Sequence, residues 1–181
     1  LGGHFEYEFG KVPKMNGEIA LLDYNIPNKI FSQFPLQPEL SKISATFKFE
    51  SDLKNFIGGL NINNDLGLEM SGDFNLENKD DYFQLHSISL KGNEATLNIK
   101  GLYEKNGHFN GRILLEKLDV SEWITKAKNT NLSGYILLDG DFNKDQISAL
   151  DMNVEVDESI LFEKEASSIS GGISYRDYKL Q

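Results

Sequence analysis

Alternation of apolar and polar residues with a period of two runs through most of this chain, and it leaves few folds open. Ile43, Ala45, Phe47 and Phe49 alternate with Ser44, Thr46, Lys48 and Glu50. Leu66, Leu68, Met70, Gly72, Phe74 and Leu76 alternate with Gly67, Glu69, Ser71, Asp73, Asn75 and Glu77. Ala95, Leu97, Ile99 and Gly101 do the same, as do the runs 109–115, 132–142, 150–156 and 169–175. Successive side chains of a strand point to opposite faces, so each run reads as a strand with one apolar face and one polar face. Polar clusters at Asn78–Asp81, Glu104–Gly107 and Asn143–Asp145 separate the runs, and Asn106-Gly107 is the strongest hairpin signal. The expected fold is all-β: a curved antiparallel sheet of repeated hairpins with an apolar concave groove.

Two segments depart from the period. Asp119-Val120-Ser121-Glu122 reads as a capping box, and Val120, Trp123, Ile124 and Ala127 follow at helical spacing. An amphipathic helix of about two turns is expected there. Leu53, Phe56 and Ile57, followed by Gly58-Gly59, suggest a second helical turn with a glycine stop. The stretch 26–38 contains Pro27, Pro35 and Pro38, which cannot donate to a ladder, and reads as loop or irregular edge.

A loose repeat, apolar-x-Gly-x-aromatic, recurs around Gly72, Gly101 and Gly140, which are 29 and 39 residues apart. Each glycine occupies the apolar phase of its strand, where a core side chain normally sits. A glycine there permits bending, and a nearby aromatic can cover the gap. Either an ordinary sandwich with local curvature or a strongly bent sheet with an unfilled inner face follows.

Composition excludes several functions. The 181 residues carry 28 acidic and 18 basic side chains, a net charge of −10, with no basic stripe for a nucleic-acid backbone. Without cysteine there are no disulfides, zinc–thiolate sites or thiol nucleophiles. No apolar run exceeds four residues, so no transmembrane helix is encoded. His4, His86 and His108 have no partners at ligand spacing and read as surface or turn residues. Asp139, Asp141, Asn143 and Asp145 resemble a calcium loop. Lys144 stands where that loop needs glycine and Leu150 where it needs a bidentate glutamate, so an acidic hairpin end is expected. Nothing in the sequence points to an enzyme, a metal or a cofactor. The chain begins Leu1-Gly2-Gly3-His4, without an initiator Met or signal-peptide pattern, and its last residues still read as strand. The expectation is one elongated β-repeat segment, 1–181, cut from a longer protein, with the pattern best over 66–175 and looser over 1–42.

The stretch Leu66 to Phe142 resembles the repeat region of the AsmA-like and TamB family of Gram-negative envelope proteins. The resemblance is carried by Leu68-Glu69-Met70-Ser71-Gly72-Asp73-Phe74, by the run from Leu90 to Gly101, by Gly111 to Val120, and by Leu132 to Gly140. Alternating strands punctuated by x-Gly-x, with a Leu-Asp-Val entry to a short helix, are the shared features. The resemblance implies a periplasmic segment of a membrane-anchored protein whose folded-over sheet forms a hydrophobic groove. It further implies phospholipid as ligand, a role in outer-membrane biogenesis and outer-membrane assembly proteins as partners. The groove-lining residues expected from the inner phase are Leu66, Leu68, Met70, Phe74, Leu97, Ile99, Ile113, Leu115, Ile136, Leu138, Phe142, Met152, Val154 and Val156. The rival expectation is a periplasmic or extracellular β-sandwich for interaction or adhesion, with a closed core. A glycan-binding β-domain, needing exposed aromatics beside polar clusters, ranks third.

Overall fold

The computed structural model describes residues 2–24, 42–124, 129–143, 146–157, 159–161, 164–176 and 179–180. The strands are β1 (Gly2–Glu8), β2 (Lys14–Tyr24), β3 (Ile43–Ser51), β4 (Asn55–Asn64), β5 (Glu69–Asn78), β6 (Tyr82–Gly92) and β7 (Ala95–Glu104). They continue as β8 (His108–Leu118), β9 (Leu132–Asn143), β10 (Gln146–Val156), β11 (Ser159–Leu161), β12 (Lys164–Ala166), β13 (Ile169–Arg176) and β14 (Lys179–Leu180). Twelve of them form one antiparallel meander, each strand beside the next in sequence, with β11 and β12 set apart as a small hairpin. The order runs from β1 at one edge to β14 at the other, and the sheet does not close. At about 4.8 Å per strand the ribbon is roughly 50 Å across. The two stacked layers of a sandwich are not formed by the described strands.

Register sorts the residues cleanly. Paired residues share a face, so the apolar phase can be followed from strand to strand. One row reads Phe5, Gly17, Phe49, Gly58, Phe74, Ile88, Ile99, Ile113, Ile136, Val154 and Gly171. The adjacent row reads Gly3, Ile19, Phe47, Leu60, Gly72, Leu90, Leu97, Leu115, Gly134, Val156 and Ile169. Neither row contains a polar side chain. The opposite face carries the charged and amide residues, with cross-strand pairs such as Lys48–Glu18 at 3.4 Å and Ser89–Asn98 at 2.6 Å.

Glycine bends this sheet. In a flat pair, opposed Cβ atoms stand about 4.5–5.5 Å apart. A Cβ built on Gly72 would instead overlap the Ser89 carbonyl oxygen and touch the Leu90 backbone. The neighbouring strand is therefore rolled toward the apolar face at that point. The other repeat glycines behave similarly: a Cβ on Gly101 would lie 2.9 Å from the Asn110 carbonyl, and one on Gly140 would lie 2.6 Å from the Phe109 ring. Aromatics fill what glycine vacates. The Phe5 and Phe49 rings, 6.1 Å apart, meet over Gly17 between them.

The helical turn expected at Leu53–Gly59 is wrong. Those residues form the β3–β4 turn and the first half of β4, where Phe56, Gly58 and Leu60 pair with Ser51, Phe49 and Phe47. The spacing of Leu53, Phe56 and Ile57 imitates a helix, but Phe56, Gly58, Leu60 and Ile62 alternate inward, and cross-strand pairing decides. After β8, Asp119 caps as expected, its carboxylate accepting the Ser121 amide at 2.9 Å. The helix among the described residues is a single 3₁₀ turn, Val120–Glu122; Ala127 lies outside them. The Asn106-Gly107 turn is a three-residue hairpin loop with Gly107 at φ +106°, as a G1-type bulge requires.

That β8–β9 connection seals one part of the apolar face. Leu118 and Trp123 pack on Ala45, Leu60, Leu68, Met70, Leu90 and Ala95, and Leu68 and Leu90 are each only 1% exposed. The Asn64 amide donates to the Glu122 carbonyl at 2.5 Å, and the Asn93 amide to the Glu122 carboxylate at 3.1 Å. At its base, the Asp119 carboxylate also accepts the Thr130 amide at 3.0 Å, while the Thr130 hydroxyl accepts the Val120 amide at 2.8 Å. Burial raises the Asp119 pKa, but the Thr130 and Ser121 amides outweigh it and hold the carboxyl below its ordinary value. Asp119→Ala should cost about 1 kcal/mol in urea unfolding. The clamp's contribution is present above the ordinary carboxyl pKa and fades as pH falls through the lowered native one. An Asp119→Ala penalty unchanged at low pH would contradict this.

Candidate functional site

The candidate site is the apolar face where nothing seals it. Phe49, Ile99, Ile113, Leu115, Ile136, Leu138, Met152, Val154 and Val156 are all half-buried, neither closed into a core nor free, and Phe74, Ile88 and Leu97, also half-buried, pack against the sealed cluster at its border. Apolar patches beyond a few hundred Å² on a monomer mark ligand, membrane or partner sites.

Most residues expected in the groove are brought together here. Phe74, Ile99, Ile113, Ile136 and Val154 stand in one register row, and Leu97, Leu115 and Val156 in the next. Leu138 and Met152 pair in the row on the other side of the first. Phe142 ends its strand exposed at the rim, its ring 5.0 Å from Phe109 and 6.2 Å from Tyr103. Leu68 and Met70 belong to the sealed cluster under Trp123.

Leu66 is not part of the face. It lies in the β4–β5 turn, exposed, because the Asn64 side chain accepts the Leu66 and Leu68 amides at 2.9 and 3.0 Å and Gly67 turns at φ +99°. The residues missed lie mainly on β6. Leu85 and Ile88 both face inward because a bulge falls between them, which breaks the alternation at His86-Ser87. Only the alternation of Ile88 with Leu90 hinted at it.

Titratable groups lie on the polar face and at the rims. A recess of about 890 Å³ on that face lies between His4, Glu6, Glu18, Lys48, Glu50 and Asp73. Asp139 and Asp141, read as an acidic hairpin end, stand beside His108, whose ring is 3.0 Å from Asp141 and 3.8 Å from Asp139. The hydrogen bond to Asp141 raises the His108 pKa. Its contribution to stability is complete below the ordinary histidine pKa and disappears as pH rises through the raised native one. Asp141→Asn should bring the His108 titration back toward its ordinary value in a proton NMR titration; an unmoved midpoint would refute the pairing. Among the described residues no group of three or more His, Asp or Glu side chains is placed to hold a metal ion. Among the same residues no helix is long and apolar enough to cross a membrane.

No protein-family model, curated protein or solved structure matches this chain.

Proposed function

We propose that this chain binds and conducts phospholipid acyl chains along its apolar face, as a periplasmic segment of an AsmA- and TamB-like envelope protein that supports outer-membrane biogenesis. One observation carries the reading: two adjacent register rows cross eleven strands without a polar side chain, and β7–β10 leave their apolar side chains in those rows half-exposed. An acyl tail has no hydrogen-bonding group. Its recognition needs continuous apolar area rather than placed donors, and each methylene taken from water contributes about 0.8 kcal/mol. The role is a binding one and calls on no catalytic group and no cofactor. Outer-membrane assembly proteins are the partners this reading implies.

Native mass spectrometry of the purified chain tests it. Adducts at phospholipid masses are expected, with retention rising as acyl chains lengthen by about fourfold per covered methylene. A protein that stays unliganded after incubation with phospholipid in mild detergent would remove the reading.

A further inference from the structure

The sheet has one long free edge. Among the described strands β1 has a neighbour on one side only, and all seven of its residues are exposed, Phe5 at 56% and Tyr7 at 44%. Free edges in sheet proteins are ordinarily blunted by proline, a bulge, an inward-pointing charge or shortness. The opposite edge is short, since β14 spans two residues, Lys179–Leu180. β1 has none of these devices. Gly2–Glu8 contains no proline, pairs with β2 without a register shift, and sets only Gly3, Phe5 and Tyr7 on the apolar face. Its outer N–H and C=O groups are a template for one more strand.

What fits that template can be read from β1 itself. Residues directly opposite in an antiparallel pair share a face, so a second copy of β1 can pair about a two-fold axis through Phe5. Gly2 then stands opposite Glu8, Gly3 opposite Tyr7, His4 opposite Glu6 and Phe5 opposite Phe5, with all seven residues of each strand paired. Each imidazole meets a carboxylate, and Gly3 on the apolar face meets an aromatic. The sheet uses the second device elsewhere: Phe5 and Phe49 flank Gly17, and Phe49 and Phe74 flank Gly58. The charges around the axis fit the same pairing. Glu8 already stands opposite Lys14 on β2, and Glu18, opposite His4, lies 3.4 Å from Lys48. Glu6 stands opposite Asn16 with His4 of its own strand at 3.4 Å, which leaves room for a second imidazole from across the axis.

Other registers fit less well. An axis through His4 or through Glu6 sets two histidines or two carboxylates face to face and leaves two residues of each β1 unpaired. An axis between residues turns the apolar face of one copy onto the polar side of the other.

We propose that this chain forms a two-fold dimer through β1, antiparallel about Phe5, in which the two sheets become one. The partner copy adds its Phe5 and Tyr7 to the apolar face, and the Phe5 row, free of polar side chains, runs unbroken from one copy into the other. The dimer goes beyond the acyl-chain reading and does not need it.

Sedimentation velocity over a concentration series, with cysteine cross-linking, tests it. The wild type should pass reversibly from monomer to dimer and no further. Phe5→Lys sets two ammonium groups on the axis and should weaken the dimer at least about tenfold while the β-sheet circular dichroism is retained. His4→Glu, which opposes carboxylates at two places, should weaken it about tenfold, and His4→Lys should tighten it about threefold. Because the chain has no cysteine, register can be read directly. Phe5→Cys should form a disulfide dimer with itself, since opposed Cα atoms of a ladder lie within disulfide reach. Glu8→Cys alone should not, its two copies lying about 20 Å apart. It should cross-link to Gly2→Cys in a mixture, and a Cβ at Gly2 meets nothing within 4 Å. A chain still monomeric at millimolar concentration, growth beyond the dimer through β1 and the β14 edge, or cross-links that ignore this register would each overturn the proposal.

Discussion

Gly72→Val should prevent the middle of the sheet from forming. A Cβ at this position overlaps the Ser89 carbonyl oxygen and meets the Leu90 backbone. Those atoms belong to the β5–β6 ladder and cannot turn aside as a flexible side chain would. Relief requires β6 to swing away from β5, which breaks the Gly72–Leu90 and Phe74–Ile88 pairs and uncovers the sealed cluster. The penalty should exceed about 4 kcal/mol, beyond the usual range for one substitution. Gly171 supplies the control: it lies on the same face of β13, with nothing within 4 Å of a built Cβ. Gly171→Ala should stay within about 0.5 kcal/mol of the wild type in urea unfolding. Equal penalties at the two positions would mean that the bend at Gly72 is not what glycine serves.

The second large effect is functional. Ile99→Asp and Ile136→Asp each place a carboxylate in the row that joins Ile88, Ile113 and Val154. Both positions are half-buried, so the charge keeps some water and the strand survives at a cost of about 2–3 kcal/mol. For an acyl chain lying along the row the carboxylate is a desolvation barrier in mid-path. Each variant should lose phospholipid adducts at least about tenfold while retaining its β-sheet circular dichroism. Loss of adducts only in parallel with loss of the sheet would remove the support these substitutions give. Asp on the polar face, as in Ser89→Asp, should leave the adducts in place.

Much of the sheet could be read directly from the residues. Strands β3, β5 and β7, and the runs 109–115, 132–142 and 150–156 within β8–β10, keep the apolar phase, so their apolar faces, and Ile99 and Ile136 on them, were legible. Where alternation fails, a local cause can be named. β6 hides behind its bulge at His86-Ser87, which sets Leu85 and Ile88 on one face. β4 hides behind Gly58-Gly59, which look like a helix stop yet sit where Lys48 and Phe49 approach closely. Leu66 keeps the period but is lifted out of the strand by the Asn64 side chain and Gly67. Register is the deeper limit. The Phe5-Gly17-Phe49-Gly58-Phe74 alternation crosses five strands and is scattered along the chain, so no local pattern announces it. Trp123 likewise read as a helix residue, because its role as cover depends on where β4 to β7 end.

Photolabelling with a phospholipid carrying a diazirine at the end of one acyl chain is the most direct test of the apolar face. The label should fall on the inward residues of β6 to β9, Ile88, Ile99, Ile113 and Ile136 among them, and should miss the cluster beneath Trp123. Labelling confined to the polar face, or none after the protein is saturated with lipid, would contradict an apolar face open to acyl chains.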